Sequence, residues 1–332
     1  MSDSAIVFCT GGGIGDVLLA TPVMRALRMR YERVVALTAP VHREVLLGNP
    51  DLAEVWTDDG TFGSLAGRIA SERFSTALVT WATPRSAALP FLARVPRRVG
   101  QARRLYSALF TDRVVIRSEL GDHSTHWTQI LLDYARRLEC DVVDPTPTFI
   151  VQPEAEIAGK RLLVELGVNG AYVVLHPTRG IAAARDRWPL AVFVALVRAL
   201  TAAFDVQVVV SGGSLDAPIA QAIAEEAKCI SIAGRMTIAE YAAIARDACC
   251  VVAMDSGPMH IAAAVGAPTV GIFALRSDEP ERWRPMGPRT AVVRGTYPCP
   301  PSHRKETCPD FACIVGLNVP AVIQTAKELL GK

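Results

Sequence analysis

Short runs of apolar, mostly β-branched residues alternate along this chain with longer segments rich in alanine and leucine. Apolar strands separated by helices are typical of parallel sheets that helices cover on both faces. The predicted strands are residues 5–9, 33–37, 77–80, 172–175, 206–210, 229–232, 250–253 and 269–273. The predicted helices are residues 16–29, 191–203, 218–227, 238–246, 258–265 and 319–330. The alternation therefore predicts an α/β fold.

A proline-rich stretch near the middle of the chain, residues 144–153, interrupts the alternation, which restarts after it. A chain of 332 residues is long enough for two domains. We therefore predict one doubly wound domain over residues 1–150, a second over 151–318, and a terminal helix within 319–332. Ligands of such sheets bind beyond the carboxyl ends of the strands, so two facing domains predict a site in the cleft between them.

The charge balance and the cysteines exclude two broad classes of protein. The formal net charge is only +2, which argues against a polycation built for nucleic acid. The amino terminus carries an acid where a secretory leader needs basic residues, and the eight cysteines lack the spacing of an extracellular disulfide framework. The sequence therefore predicts a cytoplasmic protein with reduced thiols.

A glycine-rich loop follows the first predicted strand and contains Gly11, Gly13, Gly15 and Asp16. It only partly fits a dinucleotide-binding fingerprint, because Asp16 occupies the third glycine position and no acid follows the second strand. The carboxylate of Asp16 has two interpretations. It either caps the helix that begins there or acts as a general base toward a bound ligand.

A second loop, Asp255-Ser256-Gly257-Pro258-Met259-His260, follows a predicted strand and begins a helix. Ser256 can cap the helix and Gly257 permits close approach of a ligand, so the helix start is a candidate diphosphate site. His260 falls near the first turn, where it either reaches a ligand or is a partly buried structural histidine.

Two further loops follow strands of the second half. One runs from His176-Pro177-Thr178-Arg179 to Arg185-Asp186-Arg187-Trp188-Pro189, and is either an electropositive rim or a solvated loop. The other, Ser211-Gly212-Gly213-Ser214-Leu215-Asp216, offers an acid for ribose hydroxyls or simply forms a turn. All these loops are predicted to open on one edge of one sheet.

In order and spacing, these segments resemble the heptosyltransferase family of glycosyltransferases, which have the two-domain GT-B architecture. The most specific pieces are Gly13-Ile14-Gly15-Asp16-Val17-Leu18-Leu19-Ala20-Thr21-Pro22 and residues 255–264. The resemblance implies two Rossmann-like domains across a cleft and a terminal helix that crosses back toward the first domain. It also implies inverting transfer of a heptose from an ADP-sugar to a lipopolysaccharide-core hydroxyl, with no required metal or other cofactor.

The resemblance also assigns roles to individual residues. Asp16 matches the general base that takes the acceptor proton. The donor-binding residues that it implies are Gly13, Gly15, Thr178, Arg179, Arg185, Arg187, Asp216, Asp255, Ser256, Gly257 and His260. The chain departs from the family at Asp186, where a lysine is common, and Arg185 or Arg187 would then supply the cation.

Residues 85–117 contain eight arginines and a single acid, Asp112. A basic face in the first half suits an anionic lipopolysaccharide-core acceptor, a peripheral contact with the inner membrane, or no ligand at all if it is only a solvated surface. The sequence shows no nucleic-acid-binding module, and nucleic acid is not expected as a partner. The predicted acceptor-binding residues are Arg94, Arg97, Arg98, Arg103 and Arg104.

Three alternatives stay open at this point. The chain could be another GT-B sugar transferase, a nucleotide-sugar epimerase of the same fold, or a non-catalytic nucleotide-sugar-binding protein. Near the carboxyl terminus Cys299, His303, Cys308 and Cys313 either hold a metal ion or form a loop before the last helix, because their spacing is not a paired CxxC arrangement.

Overall fold

The structure is a computed structural model that describes residues 3–178, 188–275, 277–298, 300 and 308–331. The chain divides into two compact units, Met1–Ile150 and Val151–Lys332. Each unit is built around one parallel sheet of six strands. Helices pack on these sheets as the alternating sequence pattern predicts.

The first unit contains a sheet with the strand order β3-β2-β1-β4-β5-β6, in which every neighbouring pair is parallel. Its central strands are completely buried because both faces are covered. The strands are β1 (Ser4–Cys9), β2 (Arg33–Thr38), β3 (Glu54–Thr57), β4 (Thr76–Val79), β5 (Arg97–Gln101) and β6 (Asp112–Val114).

The second unit repeats this topology with the strand order β12-β11-β10-β7-β8-β9, again all parallel. Strands β7, β10 and β11 are buried at every position. The strands are β7 (Tyr172–His176), β8 (Gln207–Val210), β9 (Ile230–Ser231), β10 (Cys250–Met254), β11 (Thr269–Phe273) and β12 (Thr290–Arg294).

Both sheets reverse their winding direction at one place, between β1 and β4 in the first unit and between β7 and β10 in the second. Connections run to opposite sides of the sheet at such a point, which leaves a crevice beyond the carboxyl ends of the two strands. The glycine loop follows β1, and the loops at residues 177 and 255 follow β7 and β10. These three predicted ligand loops therefore lie at the switch points of the two sheets, whereas the fourth, residues 211–216, follows the neighbouring strand β8.

The first unit carries α1 (Ile14–Leu19), α2 (Thr21–Arg28), α3 (Phe62–Glu72), α4 (Pro84–Leu92) and α5 (Trp127–Arg137). The second carries α6 (Pro153–Glu165), α7 (Leu190–Phe204), α8 (Ala217–Ala227), α9 (Ile238–Asp247), α10 (Gly257–Ala264), α11 (Pro280–Trp283), α12 (Ala312–Val315) and α13 (Val319–Leu330). Among the described residues, no helix is long and apolar enough to cross a membrane.

The predicted first helix, residues 16–29, is wrong as a single helix, because it breaks at Ala20 into α1 and α2. Pro22 has no N–H group, so the backbone bond that a continuous helix would direct to Leu18 cannot form. The Thr21 hydroxyl takes its place and donates to the Leu18 carbonyl at 2.7 Å. The break shortens the helix that follows the glycine loop to six residues.

Four strands are missing from the sequence prediction: β3, β5, β6 and β12. These strands lie toward the sides of their sheets and contain charged residues that break an apolar run. The predicted strand over 229–232 is also shorter in the structure, where only Ile230–Ser231 pairs. Side strands need less continuous apolar sequence because part of their surface faces solvent.

The ends of the first unit and of the chain are both held by side-chain contacts. Arg25 on α2 donates to the carbonyls of Asp144 and Thr146, at 2.9 and 3.0 Å, and also to the Thr148 hydroxyl. The proline-rich segment is therefore fastened to the first unit. The terminal helix α13 has the predicted bounds and packs against α7 and β12. Its predicted approach to the first domain stays a prediction.

Candidate functional site

The glycine loop of the first unit positions the carboxylate of Asp16. Gly12 has a φ of +78°, which a residue with a side chain rarely adopts, and this turn brings the loop back over the start of α1. The backbone N–H of Gly13 donates to Asp16 Oδ2 at 2.7 Å. The capping interpretation of Asp16 is therefore confirmed, and it fixes the orientation of the carboxylate.

Burial raises the pKa of Asp16, and hydrogen bonds from the Gly13 and Asp16 backbone N–H groups offset only part of that effect. Desolvation penalises the ionised carboxylate and so increases its basicity. A carboxylate that is oriented by one oxygen and more basic than usual suits proton abstraction from a hydroxyl. The capping role and the general-base role are thus compatible in one side chain.

Trp81, which follows β4 on the other side of the switch point, packs against the glycine loop. A Cβ atom on Gly11 would lie 2.0 Å from Trp81 Cδ1, so only glycine allows this contact. Trp81 also forms one wall of a cavity of about 330 Å³ that lies entirely within the first unit. The remaining lining residues are Thr80, Ala82, Gln101, Arg104, Tyr106, Ile116, Ser118, Glu119, Trp127, Ile130, Leu131 and Tyr134.

This cavity, named the Trp81 cavity below, combines aromatic walls with a charged pair. The rings of Trp81 and Trp127 lie 6.3 Å apart at 60°. Arg104 forms an ion pair with Glu119 at 2.9 Å, and the Tyr106 hydroxyl donates to the Ala82 carbonyl at 2.6 Å. The cavity borders the loop that carries Asp16, because Trp81 contacts that loop and also lines the cavity.

The structure separates the five arginines predicted to bind the acceptor. Arg97 and Arg98 are the first two residues of β5, and Arg94 precedes them, so these three lie at the amino-terminal edge of the sheet. Arg103 and Arg104 follow β5 and lie at its carboxyl-terminal edge, where the glycine loop also lies. Arg94, Arg97 and Arg98 therefore do not join the candidate site, whereas Arg104 lines its cavity.

Four of the eight arginines in this stretch form ion pairs, and three of them, Arg85, Arg104 and Arg117, pair with acids from other parts of the chain. Arg97 pairs with Asp112 at 3.3 Å, and the Arg98 side chain donates to the carbonyls of Val95 and Leu109. Two other arginines of the stretch form ion pairs at 2.6 Å, Arg85 with Asp58 and Arg117 with Asp133. The linear charge count therefore overstated the positive potential of this face.

In the second unit, a buried polar cluster follows β7 and β8. His176 Nδ1 lies 3.1 Å from the Ser211 hydroxyl, and His176 Nε2 lies 3.4 Å from the Thr178 hydroxyl. Burial lowers the pKa of His176 to about 4, so the imidazole is neutral near pH 7. Thr178 is 3% exposed, so its side chain is buried just beyond the end of β7.

Asp216 lies near this cluster, as its charge acts on His176. It ends the short 3-10 turn Ser214–Asp216 and precedes α8. Gly212 passes so close that a Cβ there would lie 3.0 Å from Asp216 Cβ and 3.2 Å from Ala233 Cβ. The loop after β8 is therefore tightly folded and holds the Asp216 carboxylate at the carboxyl edge of the sheet.

Ser256 occupies the N-cap position of α10 in an extended conformation, but its hydroxyl donates to the Met254 carbonyl at 2.8 Å. Within the described residues it makes no side-chain cap, so that part of the sequence prediction is wrong. The backbone N–H groups at Gly257 and beyond keep their helix-start geometry for an anion. His260 is only 4% exposed and packs within the unit. Asp255 is partly exposed beside Gly257.

Several predicted site residues lie outside the described residues, namely Arg179, Arg185, Asp186, Arg187, Cys299 and His303. Cys308 and Cys313 are buried, and both belong to the hydrophobic core of the second unit. The Phe311 N–H donates to Cys308 Sγ at 3.3 Å. The part of the chain that the structure describes contains no cluster of metal-ligating side chains, and a metal involving residues 299 and 303 stays untested.

Apart from Arg104, the residues that line the Trp81 cavity are not among the site residues predicted from the sequence. They come from the ends of three strands and from α5, and they span residues 80–134. One signal was present: Trp127, Ile130, Leu131 and Tyr134 follow the i, i+3, i+4, i+7 spacing of one helix face. That spacing identifies a buried face, but it does not tell a cavity wall from ordinary core.

The chain is similar to known proteins in both sequence and fold. The glycosyltransferase family 9 (heptosyltransferase) profile matches residues 62–310. Lipopolysaccharide heptosyltransferase 2 of Salmonella typhimurium is 25% identical over 302 residues, covering 85% of each chain.

Two solved structures share the fold. ADP-heptose lps heptosyltransferase II of E. coli has a TM-score of 0.79 at 19% identity and covers 99% of this chain and 98% of its own. E. coli heptosyltransferase WaaC with ADP has a TM-score of 0.72 at 17% identity, with coverages of 98% and 99%. The predicted α/β fold of the GT-B class is thereby confirmed. Because the family profile spans well over half of the chain, the protein is a glycosyltransferase and belongs to glycosyltransferase family 9, the heptosyltransferase family.

Proposed function

We propose that this protein transfers a heptose from an ADP-sugar to a hydroxyl of a lipopolysaccharide-core acceptor, with inversion at the anomeric carbon and without a required metal. Asp16 is the general base of the proposed reaction. The observation that carries the proposal is the position of the Asp16 carboxylate, fixed by the Gly13 N–H at the carboxyl edge of the first sheet and next to the Trp81 cavity.

In the proposed reaction, the acceptor hydroxyl donates its proton to the Asp16 carboxylate as its oxygen forms a bond to the anomeric carbon. The bond from that carbon to the diphosphate breaks at the same time, and the electron pair leaves with ADP. Attack on the face opposite the leaving group inverts the configuration. Burial raises the pKa of Asp16, which makes the carboxylate a better proton acceptor than an exposed aspartate.

The second unit supplies the donor side of this proposal. The start of α10 at Gly257 offers backbone N–H groups and the positive end of a helix dipole to the diphosphate. Asp216 is the proposed partner of the ribose hydroxyls. Charge on the leaving diphosphate would then be met by these groups and by Arg179, Arg185 and Arg187, which is why no metal is invoked.

The first unit supplies the acceptor side. Arg103 and Arg104 lie at the sheet edge that carries the glycine loop, and they replace the larger arginine set as the proposed contacts to an anionic group of the acceptor. A peripheral contact with the inner membrane belongs to this proposal too, because Leu105, directly after these arginines, is 98% exposed.

The test is release of ADP from ADP-heptose, with and without heptose-deficient lipopolysaccharide core, by the wild type and by Asp16→Asn. Asparagine can still accept the hydrogen bond from Gly13, so the loop keeps its fold while the base is lost. We expect acceptor-dependent ADP release, reduced by about 10²–10⁴-fold in the variant. Added EDTA should leave the rate unchanged.

Asp141→Asn, a change at an exposed position, is the matched control and should behave as the wild type. Each other outcome identifies a different alternative. Turnover of ADP-heptose without any acceptor would favour an epimerase, and turnover of a different nucleotide sugar would keep the fold but replace the donor. Donor binding that is unchanged by Asp16→Asn, with no turnover of any donor, would indicate a binding protein.

A further inference from the structure

Tyr241 on α9 places its hydroxyl against the start of α10. The hydroxyl donates to the Pro258 carbonyl at 3.1 Å, and the tyrosine is only 4% exposed. Burial raises the pKa of Tyr241, so the phenol keeps its proton and stays a hydrogen-bond donor. A buried side chain of one helix is therefore bonded to the first turn of the next helix along the chain.

The acceptor of this bond belongs to the peptide group that joins Pro258 to Met259. A peptide group is planar and trans, so its C=O and N–H point in opposite directions and turn together. Met259 is the third residue of α10, where a backbone N–H has no acceptor inside an α-helix. Holding the Pro258 carbonyl therefore fixes the direction of the Met259 N–H. The same bond polarises the peptide group, which makes this N–H a stronger donor.

The first turn of α10 offers few N–H groups to an anion, which increases the importance of Met259. Pro258 has no N–H, so Gly257 and Met259 are the donors among the first three helical residues. The Ser256 hydroxyl donates to the Met254 carbonyl instead. Binding of an anion at this helix start therefore depends on the direction of two N–H groups, and Tyr241 holds one of them.

The position of Tyr241 is itself fixed from two sides. α9 begins with a capping box, in which the Thr237 N–H donates to Glu240 Oε2 at 2.7 Å and the Glu240 N–H donates to the Thr237 hydroxyl at 3.2 Å. The Tyr241 ring also packs edge to face with the ring of His176, with centroids 6.2 Å apart at 64°. His176 ends β7, so one side chain joins the end of β7 to the helix start that follows β10.

We propose that Tyr241 is a positioning residue for the diphosphate of the donor, and that it acts through the Met259 N–H. The assignment rests on the proposed function, in which the diphosphate binds at the start of α10. Tyr241 does not touch the ligand. Its buried hydroxyl orients the peptide group whose N–H does.

The first experiment compares two tyrosine variants of the full-length protein. Tyr241→Phe removes only the hydroxyl and keeps the ring against His176. Tyr172→Phe is the matched control, because the Tyr172 hydroxyl also donates to a carbonyl of α9, that of Ile244, at 2.8 Å and away from the start of α10. Each variant loses one buried hydrogen bond, so we expect both to lower the melting temperature.

The two variants should differ in ligand binding. Isothermal titration calorimetry measures the affinity of the wild type and of both variants for ADP, UDP and inorganic pyrophosphate. We expect Tyr241→Phe to weaken binding of the diphosphate ligands by about three- to tenfold, the effect of one hydrogen bond. Tyr172→Phe should leave their affinity unchanged, because its lost bond does not reach α10.

A second measurement follows Met259 directly. The chain contains seven methionines, so labelling with ¹⁵N-methionine gives few backbone signals, and that of Met259 is identified by its loss in Met259→Leu. Saturation with pyrophosphate should move the Met259 amide proton downfield in the wild type and in Tyr172→Phe, because the N–H then donates to an anion. The movement should be smaller in Tyr241→Phe. A loss of stability alone would not change it.

The proposal is overturned if Tyr241→Phe binds the diphosphate ligands as tightly as the wild type, or if both tyrosine variants lose affinity equally. It is also overturned if the Met259 signal does not move at saturation, or moves equally in Tyr241→Phe.

Failure of the proposed function gives different results. Binding of UDP or pyrophosphate but not ADP, weakened only by Tyr241→Phe, would keep the role of Tyr241 and remove ADP as the donor nucleotide. Acceptor-dependent ADP release with no effect of Tyr241→Phe on ADP affinity would keep the transferase and remove the role of Tyr241. A wild type that binds none of the three ligands would overturn both proposals.

Discussion

Replacement of Gly11 by alanine tests whether Trp81 and the glycine loop form one packed unit. The added Cβ would lie 2.0, 2.7 and 2.9 Å from Trp81 Cδ1, Cγ and Nε1. Carbon atoms in contact prefer about 3.5–4.0 Å, so the indole ring must move by more than 1 Å (roughly) or the loop must shift. Overpacking of this kind costs about 1–3 kcal/mol. We therefore expect Gly11→Ala to lower the free energy of unfolding by that amount.

The effect of Gly11→Ala on the free energy of unfolding should change sign when Trp81 is absent. Gly11 does not have a positive φ, so alanine fits the backbone there. In a Trp81→Ala background the clash is gone, and a compatible glycine-to-alanine change stabilises a protein by about 0.4–1 kcal/mol through the unfolded chain. The coupling free energy between the two positions is then about 1.5–4 kcal/mol, from these two effects together.

The assay is urea unfolding of the wild type, the two single variants and the double variant, followed by circular dichroism. Gly60→Ala is the control, because nothing lies within 4 Å of the added Cβ. A Gly11→Ala cost that is the same with and without Trp81, within about 0.5 kcal/mol, would refute the reasoning. It would show that the loop relaxes without pressing on the wall of the cavity.

Three further results are expected. The pKa of Asp16 is raised, so kcat/KM should begin to fall at a higher pH than it would for an ordinary aspartate, and a pH–rate profile still flat at about pH 4 would contradict this. Arg25→Lys removes most of the hydrogen bonds to residues 144–148, so urea unfolding should show a free energy of unfolding lower by about 2 kcal/mol. Arg161→Lys, which changes an exposed ion pair, should leave the free energy of unfolding almost unchanged. Leu105→Ser should reduce co-sedimentation with anionic vesicles, and unchanged co-sedimentation would argue against a membrane contact at that residue.

The centre of each sheet could be predicted from the sequence and the sides could not. β1 and β10 are continuous apolar runs because both of their faces are buried. β5 begins with two arginines, and the residues at its two ends have different surroundings. Arg97 pairs with Asp112, whereas Gln101 lies at the cavity. No apolar period survives in such a strand.

The residues of the candidate site also fall into two groups, those that the sequence could predict and those that it could not. Asp16 and Gly257 lie in the first turns of helices that follow buried strands after short loops, so a local pattern was enough to identify them as candidates. The cavity could not be predicted, because it is defined by residues as distant as Trp81 and Tyr134, and these come together only when α5 packs on the sheet at β5 and β6. The charge count of residues 85–117 overstated the positive charge of this face for a related reason. Acids that pair with these arginines, such as Asp58 and Asp133, lie outside the stretch.

The division of the chain at Ile150 and Val151 has a consequence for engineering. Residues proposed to select the acceptor come from the first compact unit, and those proposed to hold the nucleotide come from the second, apart from Gly13 and Gly15 of the glycine loop. Recognition of the two substrates is therefore largely modular. A chimera that joins residues 151–332 to the first half of another family member should keep the nucleotide preference of this protein while it acquires the acceptor preference of the other.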